Sequence, residues 1–322
     1  MSFLSGGSGQ KRVFQKRECQ QMNASVKKPV GVIGLGAMGM GVAMSLLREG
    51  FEVHACDIRA ETVQKVVDAG GVAAGSPAEL APRVDVLISV VVNADQTETV
   101  LFGAQGAVPK MRPGTVVISS ATVSPDFARA LGKRIADAGL LMIDGPISGG
   151  AAKAMAGEMT VMSSGSPEAY AKCEDVLDAI AGKVYRLGDE VGPGSVVKMI
   201  NQLLAGVHIA AAGEAMALAI RAGADPDQVY EVITNSAGNS WMFQNRVPHI
   251  LAGDYTPLSA VNIFVKDLGI VLDYAKKNVF PLPLSATAHQ MYMSASAAGH
   301  GGEDDSAVIK VFPAIKLPDA KK

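Results

Sequence analysis

The sequence predicts an α/β N-terminal domain built on a parallel sheet, followed by an all-α C-terminal domain entered through a long interdomain helix. Three observations predict it. Short apolar runs alternate with helical patterns from Val30 to about Arg186, and such alternation packs as a parallel sheet covered on both faces. After Gly192-Pro193-Gly194 the alternation stops, and Ser195 to Ala222 carries apolar residues at helical spacing without a strong turn signal. The chain has 322 residues, more than a typical single domain.

Residues 1–28 read as a disordered extension, residues 29–193 as the first domain and residues 194–322 as the second. In the extension, Ser5-Gly6-Gly7-Ser8-Gly9 is flexible and Lys11-Arg12, Lys16-Arg17 and Lys27-Lys28 are basic. It has no apolar core of a secretory signal, Glu18 and the glycines oppose an organelle-targeting reading, and Met22 is an alternative start. The first strand is Val30-Gly31-Val32-Ile33, followed by a glycine-rich turn and a helix from Met40 to Arg48; Val53 to Asp57 is a second strand ending in an acid. Further strands are expected at 84–88, 115–118, 140–143 and 159–162. Helices at Pro125 to Ala138 and Pro167 to Ile180 each open on a proline, whose missing N–H costs nothing in a first turn. Beyond the long helix, Asp227 to Thr234, Phe264 to Lys277 and Pro283 to Ala298 read as helices, and no convincing strand appears.

The turn after the first strand is Gly34-Leu35-Gly36-Ala37-Met38-Gly39. Strand, glycines, helix and an acid about 20 residues on make up the dinucleotide-binding fingerprint of a Rossmann domain. Gly34 permits the tight turn, Gly36 lets the backbone approach a pyrophosphate, and Gly39 lets helix and strand pack closely. The N–H groups and dipole of the helix start favour phosphates. Asp57 accepts hydrogen bonds from the adenosine ribose and repels a 2′-phosphate, so the cofactor is read as NAD rather than NADP.

Four further segments stand out. Val91-Val92-Asn93-Ala94-Asp95 and the loop around Thr122 each follow a strand, where open α/β sheets bind ligands. Either Val92, Asn93 and Thr122 line the nicotinamide half of the cofactor, or these are ordinary turns and caps, with Ser124 capping the next helix. Asp144-Gly145-Pro146-Ile147-Ser148-Gly149-Gly150 is too glycine-rich for a core element; Ser148 with the N–H groups of Gly149 and Gly150 suits a carboxylate, and a plain surface loop is the alternative. Lys198 lies among apolar residues early in the long helix, with Asn201 and Gln202 on its face. Burial lowers a lysine's pKa, which suits it to take a hydroxyl proton near neutral pH; spacing alone slightly favours a snorkelling lysine. Lys266-Asp267 reads equally as solvated helix charges, and Asn239-Ser240-Trp241 as a loop anchored by the only tryptophan.

Composition excludes several classes. A formal charge of −2 without a basic stripe argues against a nucleic-acid partner. Leu203 to Ile220 is apolar, but His208 and Glu214 interrupt it, so it reads as a buried helix and no membrane span is expected. Three separated cysteines, Cys19, Cys56 and Cys173, show no paired motif or metal spacing, which suggests a reducing compartment and no metal site.

In order along the chain, the glycine fingerprint, the Thr122 loop, Gly145 to Gly150, Lys198 in its helix and Lys266-Asp267 resemble the β-hydroxyacid dehydrogenase family from Val30 to about Pro313. That resemblance implies a Rossmann domain and a helical C-terminal domain, in homodimers or homotetramers. It implies that Lys198 is the catalytic lysine, that Ser148, Gly149 and Gly150 hold the substrate carboxylate, and that Thr122 and Lys266 contact the nicotinamide end. Val91-Val92-Asn93-Ala94, Gly157 to Met162, Gln202 to Ala210, Ala237 to Phe243 and Glu303 to Lys310 are most similar to the L-threonate-oxidising branch. The implied partner is then a small sugar acid, oxidised in the cytoplasm, with Asn201 and Gln202 at the reacting hydroxyl and Asn239 and Ser240 reading distal hydroxyls. Reduction of tartronate semialdehyde and oxidation of 3-hydroxyisobutyrate are the neighbouring alternatives; a non-catalytic nucleotide-binding module or an imine reductase is opposed by the presence of Lys198. Two positions depart from the family: Gln202 stands where many members have asparagine, extending the amide, and Ser119 where relatives often have aspartate.

Overall fold

The computed structural model describes residues 27–319; most of the expected extension, with Cys19 and Met22, lies outside the described residues. The N-terminal half is a sheet of strands β1 (Lys27–Ile33), β2 (Phe51–Cys56), β3 (Val72–Ala73), β4 (Val86–Ser89), β5 (Val116–Ser119), β6 (Leu141–Asp144), β7 (Ile147–Ser148), β8 (Met159–Gly165) and β9 (Ala181–Arg186). Their order is β3-β2-β1-β4-β5-β6-β8-β7, with β9 beside β8. Strands β1 to β6 pair in parallel, β8 runs antiparallel to β6 and β7, and β9 returns parallel to β8. The order reverses between β1 and β4, the switch point at which a doubly wound sheet opens a crevice. Val30, Val32, Val86, Ile88 and Val116 have no exposed surface, as expected of strands covered on both faces.

The covering helices are α1 (Ala37–Arg48), α2 (Ala60–Asp68), α3 (Pro77–Leu80), α4 (Ala94–Phe102), α5 (Pro125–Asp137), α6 (Gly150–Ala156) and α7 (Pro167–Ile180). Ser124 and Ser166 cap α5 and α7 through their hydroxyls, each with proline in the first turn. Helices α1 and α6 pack so closely that a Cβ on Gly41 would lie 2.5 Å from Ala154.

Helix α8 (Pro193–Arg221) leaves the sheet and carries α9 (Pro226–Thr234), α10 (Trp241–Ala252), α11 (Val261–Lys277) and α12 (Pro283–Ala295). Its Gly206 faces Phe264 and Leu268, where a Cβ would meet the Phe264 ring at 2.9 Å, and the Tyr292 hydroxyl donates to the Gly206 carbonyl at 2.9 Å. The last described element, a 3-10 stretch at Asp305–Val311, is tied to α10 by a two-pronged contact of the Arg246 guanidinium with the buried Asp305 carboxylate. Among the described residues, α8 is the one helix long and apolar enough to cross a membrane; here it packs against α10, α11, α12 and β8.

Some elements differ from the expectation. Strand β1 begins at Lys27, inside the expected extension, because Lys27 pairs with Phe51 and the Lys28 ammonium reaches Asp175 at 2.8 Å. The short β3 and β7 lack room for an apolar pattern. Helix α10 is not among the expected helices; it contains Pro248, ordinarily a helix breaker. Helix α12 stops at Ala295, because Gly299 takes a φ of +95° in the wide turn that follows.

Candidate active site

The crevice begins at the glycine turn. Gly34 has a φ of +89°, and a Cβ there would lie 2.7 Å from the Val90 carbonyl oxygen. A Cβ on Gly39 would lie 1.8 Å from the Gly34 oxygen, so α1 and β1 meet only through glycine. Gly36 is different: nothing stands within 4 Å of its missing Cβ, and its φ of −65° suits any residue. The fold itself does not require glycine there; a ligand approaching the backbone does. Gly36 is also the N-cap of α1 and offers no side-chain cap, and the first turn, Ala37-Met38-Gly39, holds no acid. Helix N–H groups and dipole are therefore left for an anion, so these residues fit a dinucleotide pyrophosphate.

Asp57 follows β2, its side chain 6 % exposed. One carboxylate oxygen accepts from the Leu35 N–H at 2.6 Å and from Arg59 Nη2 at 3.2 Å; the other accepts from the Arg59 N–H at 2.9 Å and Arg59 Nε at 3.0 Å. Burial works against the charge, but the bonds from Arg59 and Leu35 outweigh it and hold the carboxyl below its usual range.

Across the switch point, Val92 is half exposed and its N–H donates to Gln96 Oε1 at 2.9 Å. The Asn93 side chain caps α4 by accepting from the Gln96 N–H at 2.8 Å, and Ser124 does the same for α5. Asn93 and Ser124 are thus N-caps, and both also line the cleft. Lys266 Nζ on α11 donates to the Thr122 carbonyl at 3.3 Å. A cavity of about 580 Å³ lies here, lined by Asn93, Thr122, Phe127, Lys266, Tyr274 and Lys277 among others.

Lys198 lies in the first turns of α8, 6 % exposed. It is buried rather than snorkelling, and burial brings its pKa down to about 8; the Asp267 charge pulls it up and the Lys266 charge pushes it further down. Gln202 Nε2 donates to Asp267 Oδ2 at 2.5 Å, Asn201 Nδ2 donates to Gln202 Oε1 at 3.0 Å, and Lys266 Nζ contacts Asp267 Oδ1. Lys198, Asn201, Gln202 and Lys266 therefore belong to one polar cluster between α8 and α11. Its centre, Asp267, is 2 % exposed; as solvated charge it would be misread. The signal for it was its place in the buried stripe Phe264, Asp267, Leu268, Val271, Ala275, where only a partnered carboxylate is affordable.

Ser148 lies on β7 opposite Thr160 of β8. Gly149 and Gly150 follow at φ of +134° and +77°, opening α6. The first turn of α8 is bound to the same strand, where the Gly194 N–H donates to Ser164 Oγ at 3.0 Å. Asn239 and Ser240 precede α10. The Ser240 hydroxyl caps that helix through the Phe243 N–H at 3.0 Å, and Asn239 Nδ2 donates to the Thr234 carbonyl at 3.1 Å. No hydrogen bond among the described residues joins them to the lysine cluster; Asn239 Oδ1 is buried without a partner.

Residues 29–188 match the NAD binding domain of 6-phosphogluconate dehydrogenase, and residues 192–312 match the NAD-binding region of NADP-dependent 3-hydroxyisobutyrate dehydrogenase. The chain is 70 % identical to the L-threonate dehydrogenase of Cupriavidus necator over 293 residues, which are 91 % of this chain and 99 % of that protein. The chain belongs to the β-hydroxyacid dehydrogenase family. It is an NAD(P)-dependent hydroxyacid dehydrogenase acting on a small acid. The mitochondrial 3-hydroxyisobutyrate dehydrogenase of Mus musculus is 31 % identical over 91 % of this chain and 89 % of its own. A crystal structure described as 3-hydroxyisobutyrate dehydrogenase from Salmonella typhimurium superposes with a TM-score of 0.85 at 53 % identity, covering 89 % of this chain and 100 % of that one.

Proposed function

We propose that the enzyme oxidises the C2 hydroxyl of L-threonate to 2-dehydro-L-erythronate with NAD, using Lys198 as base. The observation that carries the chemistry is the buried Lys198 amine with a pKa of about 8, because an amine in that range holds or releases a proton readily at working pH. The substrate is supported by the 70 % identity to an L-threonate dehydrogenase across nearly the whole of both chains.

Ser148 Oγ and the N–H groups of Gly149 and Gly150 hold the substrate carboxylate. Lys198 Nζ accepts the hydroxyl proton during oxidation and returns it in reduction. Gln202, fixed by Asp267, and Asn201, fixed by Gln202, orient that hydroxyl, while the free Oδ1 of Asn239 is the group left to read a distal hydroxyl. Gly34 through Gly39 hold the pyrophosphate, Asp57 the adenosine ribose, and Val92, Asn93, Thr122 and Lys266 the other end of the cofactor. When bound, the dinucleotide supplies the hydride acceptor. Asp57 favours NAD over NADP, since Arg59 neutralises only part of its repulsion toward a 2′-phosphate.

Residues 29–193 and 194–322 form its two domains, and copies pair through α8, whose Val197, Ile200 and Leu204 expose an apolar stripe at helical spacing. Free Cys56 and Cys173 agree with the cytoplasm. A second reading, oxidation of 3-hydroxyisobutyrate, is favoured by the description of the Salmonella structure. NAD reduction with L-threonate, D-erythronate, glycerate and 3-hydroxyisobutyrate side by side separates them. Turnover confined to L-threonate is expected; turnover only of 3-hydroxyisobutyrate transfers the mechanism to the second reading.

A further inference from the structure

Helices α5, α7 and α10 each begin at a serine that caps its own first turn. Helix α8, the longest, does not: its N-cap is Gly192, it has no side-chain cap of its own, and its first turn holds no acid. The cap comes from Asp144, 48 residues earlier, at the end of β6. Asp144 is 1 % exposed. Its Oδ2 accepts from the Gly192 N–H at 3.1 Å and the Ser195 N–H at 2.8 Å, and its Oδ1 accepts from Ser195 Oγ at 2.7 Å. Ser164 Oγ of β8 stands at 3.5 Å and itself accepts from the Gly194 N–H. A Cβ on Gly194 would lie 2.6 Å from the carbonyl oxygens of both Asp144 and Met162. The first turn of α8 is therefore seated directly on β6 and β8, with no side chain between.

Helices ordinarily take such a cap from their own N-terminal residue, but Gly192 has a φ of +126° and a Cβ there would lie 2.9 Å from the Arg129 side chain, so the cap has to come from elsewhere. What a local cap cannot do is fix the helix relative to another part of the chain. Asp144 is also the first residue of the loop that ends in Ser148, Gly149 and Gly150. That loop is held by the Gly145 N–H on the Ser119 carbonyl at 2.9 Å and the Met162 N–H on the Pro146 carbonyl at 2.9 Å. Lys198 follows Ser195 by three residues, less than one helical turn. One side chain thus sits at the root of both the carboxylate cradle and the lysine helix.

We propose that Asp144 is a positioning residue for the reaction: it sets the distance between the substrate-carboxylate cradle at Ser148 and the Lys198 amine by capping α8 from the strand that begins the cradle. The proposal rests on the assignment of Lys198 and Ser148 made above. Reacting groups misplaced by about 1 Å lose on the order of a hundredfold in rate.

The test is Asp144→Asn, which keeps the shape but turns an N–H₂ group or a weaker acceptor toward the Ser195 and Gly192 N–H groups. The expected result is a kcat for L-threonate lowered about 10- to 100-fold, an unchanged KM for NAD, and a shift to higher pH of the rising limb of kcat as Lys198 gains water. Ser195→Ala, which removes one of the bonds and leaves the carboxylate in place, gives a smaller change in the same direction and keeps the test available should Asp144→Asn fold poorly. A variant that loses thermal stability while kcat and the pH limb stay within twofold of the parent overturns the proposal, since Asp144 is then only a cap. Lys198→Ala separates the two assignments. If it retains turnover, the lysine reading falls and the proposal with it; if it is inactive while Asp144→Asn is normal, only the proposal falls.

Discussion

Gln202 on α8 and Asp267 on α11 share a hydrogen bond of 2.5 Å, although 65 residues separate them. Both are nearly buried, at 8 % and 2 % exposure, so the bond is made in surroundings where an unmet carboxylate is costly. An asparagine, one methylene shorter, leaves its amide short of Asp267. Gln202→Asn is expected to lower kcat/KM for L-threonate about 10- to 100-fold, the equivalent of losing one hydrogen bond to a charged group at about 1.5–3 kcal/mol. Steady-state kinetics read the change, and an unaltered kcat/KM would show that the extra reach of glutamine is not used.

Burial lowers the pKa of Lys198, and the same carboxylate partly opposes it. The amine has a pKa of about 8, with burial lowering it, Asp267 raising it and Lys266 lowering it. Oxidation needs the neutral amine, so kcat for L-threonate is expected to rise through pH about 8 and level above it. Reduction needs the protonated form and falls over the same range. Asp267→Asn removes the raising charge and moves the limb to lower pH; Lys266→Met removes the lowering charge and moves it to higher pH. pH–rate profiles of the three proteins check this, and a limb that stays in place in Asp267→Asn breaks the link between the two residues.

The glycine fingerprint separates two demands that look alike in the sequence. Gly39 is needed by the fold, since its Cβ would lie 1.8 Å from the Gly34 oxygen, whereas Gly36 has open space around it. Gly39→Ala is expected to cost about 1–3 kcal/mol of stability by overpacking. Gly36→Ala is expected to keep its Tm while the KM for NAD rises about tenfold, the loss of about 1.4 kcal/mol of binding. Thermal melts and NAD titrations measure both; a lowered Tm in Gly36→Ala would contradict the assignment of that space to a ligand.

How far the site was legible depended on whether a residue's role is local. The β1–α1 turn, Asp57 and the proline-opened helices obey rules that span a few residues, and their elements stand where the sequence put them. The burial of Lys198 was not legible, because it depends on α11 covering α8, and spacing alone slightly favoured a wet lysine head. Asp267 was visible only as a charge beside Lys266, since its partner Gln202 is on another helix. Asp144 reads in the sequence as the start of a loop, because nothing nearby shows that it caps a helix 48 residues on. Ser240 has a local role beside its proposed one: its hydroxyl caps α10 through the Phe243 N–H.

The lysine that serves the reaction works against the fold. In the unfolded chain its amine has the ordinary value of 10.5, and in the folded protein about 8. At neutral pH the folded state must carry a buried charge, a cost of about 3 kcal/mol at roughly 1.4 kcal/mol per pH unit. A depressed folded pKa means stability gained as pH rises from about 8 toward 10.5. Lys198→Met removes the charge and keeps most of the volume. Melts at neutral pH are therefore expected to show the variant more stable than the parent by several degrees, at about 2–4 °C per kcal/mol, with turnover lost. The gap between variant and parent narrows as the pH approaches 10.5, where the parent lysine is neutral in the folded state and increasingly so in the unfolded one. A methionine variant that melts below the parent at every pH would mean that Lys198 is held charged by Asp267, and the assignment of the neutral amine as the base would fail with it.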